Sequence, residues 1–259
     1  MGDVLPDLPA SGTEADGSAV VRVLSYNVRS LRDDVGALAR VIRACAPDVV
    51  CVQEAPRFFR WRKAVARLAR AAGLVYVTGG ATASGPMILS TLRPHVERAE
   101  ALLLPRTPGL HQRGLATAVL RFGPAGAAGA RLGVVSCHLS IREEERYAQG
   151  RLVLDALAAL GTPHGVVAGD LNDRPDGRTF GLLAGALQDG WAVRPWGREH
   201  TTRLGDPLQR IDAVFATGGV EVLGCGVPMG LPGVSEADLR AATDHLPVLA
   251  VVRVPAGGR

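Results

Sequence analysis

At 259 residues, with 47% hydrophobic and 21% charged side chains, the chain is long enough for one large domain and too apolar to be disordered. Its formal charge is +4, from 29 Lys and Arg against 25 Asp and Glu, with Lys63 the only lysine. A surplus that small does not make a nucleic-acid binder, although arginine's planar fork suits phosphate.

Residues 1–18 carry Pro, Gly, Ser and acids without an apolar run. They predict a disordered leader rather than a signal peptide, followed by a single catalytic domain over 19–259. Val21–Val28 reads as the first strand. Leu38, Val41, Ile42 and Cys45 recur at helical spacing, with Asp33 or Asp34 as N-cap and Pro47 as stop. Asp48–Gln53 is the next strand, and Trp61, Val65, Leu68 and Ala69 mark a second helix. Strands follow at 74–78, 87–90 and 96–104. Two more, 115–122 and 132–138, flank the Gly/Ala loop 123–130 as a hairpin. A third helix runs from Arg146 to Leu160, and later strands lie at 165–168, 211–216, 220–224 and 246–254. This order predicts two sheets packed face to face with helices outside.

The four cysteines form no C-x-x-C pair and read as small buried thiols, not a zinc site or disulfide framework. No stretch approaches the roughly 18 apolar residues of a membrane span, and the expected location is cytoplasmic. The chain has no P-loop, no H-E-x-x-H and no G-x-S-x-G, which excludes a P-loop NTPase and leaves a zincin or α/β-hydrolase unsupported. Aromatics are only 4%, so few side chains are available to stack on bases.

Polar residues recur where apolar strands give way to loops. Asn27, Glu54, Asp170, Asn172 and Asp244 supply the oxygen ligands that a hard cation such as Mg²⁺ takes. Histidines beside carboxylates supply proton transfer and charge on a phosphate, and the combination is what phosphoester hydrolysis requires.

The ordered set Ser25-Tyr26-Asn27, Gln53-Glu54, Cys137-His138-Leu139-Ser140, Gly169-Asp170-Leu171-Asn172, Arg210-Ile211-Asp212 and Thr243-Asp244-His245 resembles the endonuclease/exonuclease/phosphatase superfamily. The resemblance runs from about Val21 to Val254. It implies a four-layer α/β sandwich, with two packed mixed sheets flanked by helices. It also implies a monomeric, Mg²⁺- or Mn²⁺-dependent phosphoester hydrolase. Glu54 would bind the metal with Asn27 nearby, and Asp244 would help hold the metal or the hydrogen-bond network. Asp170 and Asn172 would position the attacking water. His138 and His245 would contact the phosphate and move protons, and Asp212 would orient His245. Arg113 resembles a family arginine near the substrate phosphate, although a solvated arginine at a strand start explains it equally.

Departures from the pattern are Thr243 for serine, Leu171 for phenylalanine, Ala213 for an aromatic and Pro86 for asparagine. His138 argues against the AP-endonuclease branch, and Gln209–Val214 lacks the stretch typical of 5-phosphatases. The loop 123–130 carries no aromatic membrane hairpin. A nuclease acting on DNA or RNA leads. A phosphodiesterase or phosphatase on a phospholipid or small molecule is the alternative, and a non-catalytic binding member comes last. Arg142, Arg146 and Arg151 read as surface ion pairs with Glu143–Glu145. His95, His111, His164 and His200 read as structural, and Trp61, Trp191 and Trp196 as packing.

Overall fold

Alternate side chains of a strand face opposite ways, and β2 (Ala19–Asn27) is buried on both faces. Val21 and Val23 point into one apolar cluster, Leu24 and Tyr26 into another. That double burial fixes the layering. The computed structural model describes residues 5, 7–124, 129–206 and 208–257.

One sheet runs β12 (Glu221–Gly226), β13 (Val248–Val254), β2, β3 (Val49–Gln53), β5 (Met87–Ser90) and β4 (Val75–Gly79), with β1 (Gly12–Thr13) paired to β2. The other runs β10 (Gln188–Asp189), β11 (Asp212–Ala216), β9 (Gly165–Asp170), β8 (Ala130–His138), β7 (Gly114–Phe122) and β6 (His95–Leu103). Both are mixed: β2–β3 and β8–β9 are parallel and the other pairs are antiparallel.

Between the sheets lie Val23, Cys51 and Ile88 of the first and Ala118, Val134 and Val214 of the second. The helices α1 (Val35–Cys45), α2 (Trp61–Ala72) and α6 (Glu236–Ala242) cover the first sheet through Leu38, Leu68 and Leu239. The second is covered by α3 (Glu143–Ala159) and α4 (Arg178–Ala186) through Val153, Leu157 and Phe180. A single turn, α5 (Gly190–Val193), follows β10. The layers are helix, sheet, sheet, helix, the expected sandwich.

Local chemistry sets the boundaries. Asp34, not Asp33, caps α1, its carboxylate accepting from the N–H groups of Gly36 and Ala37. The predicted hairpin forms, with β7 and β8 paired throughout; residues 125–128 of its loop lie outside the described residues. Helices α4 and α6 have no counterpart in the sequence reading. Both are short, and α4 is held by packing, Phe180 meeting Phe215 edge-on at 5.1 Å.

The leader needs correction. Residues 1–4 and 6 lie outside the described residues, but the rest of 1–18 is anchored. Leu5 and Leu8 pack on the first cluster, β1 pairs with β2, and Ser11 Oγ donates to Asp48 at 2.6 Å. Its polar composition concealed these partners because they lie far away in sequence.

All four cysteines are buried and free, and burial pushes the thiols of Cys45, Cys51 and Cys225 up to about 12. Among the described residues no helix is long and apolar enough to cross a membrane.

Candidate active site

The parallel pairs deliver side chains to one edge of the sandwich. Asn27 ends β2, Glu54 follows β3, His138 ends β8 and Asp170 ends β9. β11 runs antiparallel to β9, so its first residue, Asp212, lies opposite Asp170. β13 runs antiparallel to β2, so His245, just before it, reaches the same edge. Gly169 permits this closeness: a Cβ there would sit 2.1 Å from the Cys137 carbonyl oxygen. Only glycine lets β9 press against β8 and bring Asp170 to His138.

One amide joins the two sheets. Asn27 Nδ2 donates to Asp170 Oδ2 at 3.0 Å and Glu54 Oε1 at 3.2 Å, while its Oδ1 accepts the Arg29 N–H at 3.1 Å. His138 Nε2 lies 3.5 Å and His245 Nε2 3.8 Å from Asp170 Oδ2. His245 Nδ1 bonds Asp212 Oδ2 at 2.9 Å, the orienting contact expected for Asp212. The Asn172 N–H donates to Asp170 Oδ1 at 3.0 Å, and its side-chain amide donates to the Leu139 carbonyl at 2.9 Å. Glu54 and Asn172 take φ of +52° and +50°, a left-handed backbone that costs an L-residue roughly 1–2 kcal/mol. Such strain gathers at functional sites.

The histidines are driven apart electrostatically. Burial pushes His138 down to about 4, so it is neutral near pH 7. Burial also works against charge on His245, but the Asp212 carboxylate and its hydrogen bond, then Asp170 and Asp244, lift it to about 10. Asp170 is raised, first by burial and then by the facing Asp212. Neighbouring groups whose environments push them to opposite protonation states are what acid–base roles require.

The donor set fits a hard divalent cation. Glu54 and Asp170 present carboxylates clasped by a common amide, and Asp212 Oδ1 is buried with no hydrogen-bond partner among the described residues. Asp170, Asp212 and His245 also bring one ligand atom each within 4.8 Å of one another. Asp212 keeps His245 protonated, however, and a ligating imidazole must be neutral, so that trio is better suited to moving protons than to holding metal. Asp244 stands apart, its Oδ2 lying 3.2 Å from Arg29 Nε.

Beside Glu54 and His138 opens a pocket of ≈ 190 Å³, also lined by Ser30, Arg57, Ser84, Gly85, His111, Gln112 and Arg113. Burial lowers the Arg113 guanidinium, opposed by the charges of Asp170 and Glu54. Among the described residues Arg113 has no ion-pair partner, so its charge is available to an anion. Arg57 and Ser84 were not among the residues expected at the site, and His111 was expected to be structural. The only signal was proximity: Arg57 follows Glu54 by three residues, and His111 precedes Arg113 by two. Thr201 was also missed. It is fully buried, and its Oγ1 accepts the N–H groups of Ile211 and Asp212 at 3.1 Å each, which fixes the start of β11. Arg146 is not the expected surface ion pair. It is buried and reaches Asp173 Oδ1 at 3.2 Å and the Ile141 carbonyl at 3.0 Å.

The sequence pattern of the Endonuclease/Exonuclease/phosphatase family matches residues 24–245. No curated protein matches the chain significantly. Among solved structures, an endonuclease/exonuclease/phosphatase from Bacteroides vulgatus superposes with a TM-score of 0.73 at 19% identity, covering 91% of this chain and 99% of its own. A mannosyl-6-phosphatase of Bacteroides thetaiotaomicron gives 0.70 at 19% identity, covering 90% and 99%. TDP2 of D. rerio, complexed with a single-strand DNA product, gives 0.66 at 19% identity, covering 90% and 98%.

Proposed function

The chain belongs to the endonuclease/exonuclease/phosphatase family, whose members hydrolyse phosphoesters, and on that footing we propose that it cleaves its ester with a water activated between Glu54, Asp170 and two histidines. The observation that carries this reading is the Asn27 amide, which holds Glu54 and Asp170 together while both histidines face the Asp170 oxygen.

Glu54 would hold Mg²⁺ or Mn²⁺ with the Asn27 amide beside it. Such an ion, when bound, neutralises phosphate charge and lowers the pKa of water. Asp170, steadied by Asn172, orients the attacking water and takes its proton; its raised proton affinity suits that task. His245, kept cationic by Asp212, offers Nε2–H to a phosphate oxygen. Neutral His138 hydrogen-bonds a second oxygen, and Arg113 supplies a fixed positive charge to the phosphate. Asp244 acts at one remove, adding negative charge near His245 and tying down Arg29.

Nucleic acid and a small or lipid phosphate both remain compatible with this chemistry. The DNA-bound relative and the sugar-phosphatase relative resemble the chain at the same 19% identity. The test is hydrolysis of a chromogenic phosphodiester and a chromogenic phosphomonoester with Mg²⁺, with Mn²⁺ and in EDTA. Turnover should need the metal, and His245→Ala should lower it roughly 10²–10⁴-fold. Equal turnover in EDTA, or an unaffected variant, removes the reading.

A further inference from the structure

Residues 55–96 hold seven cationic side chains and no carboxylate, more than the whole chain's surplus of +4. Five of them, Arg60, Arg62, Lys63, Arg67 and Arg70, lie on or just before α2 and are exposed. None has a carboxylate partner among the described residues; Arg60 and Arg62 lie only over the rings of Phe59 and Trp61.

This placement works against the helix. Arg60, Arg62 and Lys63 crowd its N-terminal end, where the dipole disfavours cations, and no acid occupies the first turn. Lys63 and Arg67 are like charges at i,i+4. The opposite face is buried through Val65, Leu68 and Ala69, so the helix cannot roll the charges elsewhere. Nothing within the described fold compensates them, and the face is complementary to something anionic outside it.

The loop that leaves Glu54 and leads into α2 bears Phe58 and Phe59, 66% and 90% exposed. Ile141, 71% exposed, stands three residues after His138, and Leu208, 70% exposed, four residues before Asp212. Single exposed apolar residues are ordinary. Here the loops that deliver Glu54, His138 and Asp212 all carry one.

We propose that this end of the molecule seats on an anionic phospholipid bilayer. The four apolar side chains enter the acyl boundary around the site, and the head of α2 meets the headgroups. β4 runs parallel to β3 through their shared neighbour β5, so α2 climbs away from the site edge. Arg60, Arg62 and Lys63 therefore touch the surface, and Arg67 and Arg70 stand about 6 and 10 Å higher, within roughly a Debye length. The phosphoester cleaved is then one presented at a lipid surface, an assignment that rests on the hydrolase reading of the site. Nucleic acid fits less well. Phe58 and Phe59 could stack on bases, but Ile141 and Leu208 have no π face to offer. The Phe58–Phe59 loop with the α2 cations behind it has the pattern of interfacial attachment, and it leads the contact, since exposed acids adjoin Ile141 (Glu143, Glu144) and Leu208 (Asp206).

The test is co-sedimentation of the full chain with phosphatidylcholine vesicles, with and without phosphatidylserine, beside retention on single-stranded DNA. Soluble chromogenic phosphoester turnover is measured in parallel. The chain should bind the anionic vesicles only, and added salt should weaken binding. Phe58→Ser with Phe59→Ser, and separately Arg62→Gln with Lys63→Gln and Arg67→Gln, should each lower vesicle affinity about tenfold or more while soluble turnover stays unchanged. Vesicle binding that is absent, equal on phosphatidylcholine alone or untouched by both variants overturns the proposal. So does retention on DNA without vesicle binding. Soluble turnover tests the hydrolase reading and vesicle binding the docking, so failure of either one is recognised separately.

Discussion

Two buried aspartates stand at opposite ends of the first sheet and its neighbour, and their surroundings differ. Asp48, before β3, is 3% exposed and receives the Ser11 hydroxyl at 2.6 Å, the Arg22 N–H at 2.8 Å and the Arg93 guanidinium at 2.8 Å. Asp170, the last residue of β9, is 2% exposed; each of its oxygens accepts one amide hydrogen bond, from Asn27 and from the Asn172 N–H, but it also faces Asp212, and its two histidines stand off at 3.5 and 3.8 Å. The Asp48 charge is matched by donors and serves to clamp leader, sheet and Arg93 together. The Asp170 charge has amide donors but no guanidinium, and a second carboxylate opposes it, which is costly for stability and useful for chemistry. Burial of a carboxylate is therefore weak evidence of function; a second buried carboxylate set against it, with histidines close by, is better evidence.

The largest test of this contrast is Asp170→Asn. Turnover should fall about 10³-fold, yet in EDTA the variant should melt no lower than the parent. The sign follows from proton linkage. An acid raised on folding makes the folded state bind protons more tightly, so stability declines as pH rises through its titration. Removing the charge relieves that decline. A variant that melts far below the parent would show Asp170 to be structural after all.

Asp212→Asn should come next, lowering turnover about 10²-fold. It removes the chief source of positive bias on His245, so the alkaline fall in activity should move to lower pH. An unchanged pH–rate profile would separate Asp212 from His245.

Asp48→Asn should behave in the opposite way. It leaves turnover unchanged and costs roughly 1–3 kcal/mol of stability, because donors built for a carboxylate lose part of their partner. That is several degrees in Tm for a domain of this size. Loss of activity at a temperature where the variant is still folded would break the comparison.

The smallest effect belongs to the leader. Glu14 is lowered from 4.5 by its hydrogen bond to Arg253 and then by Ser18. Its contribution is present above that value and is lost as pH falls through the folded one. Relative to intrinsic exchange at the same pH, amide protection in residues 7–18 should therefore fall on acidification before that of β2 does.

The candidate edge was visible in the sequence because several of its strands are apolar nearly to the polar residue at the loop, as with Val166–Ala168 before Asp170. The two-sheet architecture followed from the same runs. The pocket wall was not legible. Arg57, Ser84 and His111 come from loops with no periodicity and meet only in the folded chain. Arg146 misled because three glutamates adjoin it in sequence, whereas its partner Asp173 lies 27 residues on. Phe58 and Phe59 drew no notice because an aromatic pair looks like core until its exposure is known.

The Asn27 bridge ties Glu54 of one sheet to Asp170 of the other. The candidate centre thus lies across a seam rather than within a layer, and its geometry depends directly on the alignment of the two slabs. A slip of one slab by a single ångström separates the carboxylates while each sheet keeps its own ladder. Heating should silence the enzyme before calorimetry registers the cooperative melt, and cross-linking the slabs through Ser136→Cys and Cys51, which face each other between the sheets, should close that gap.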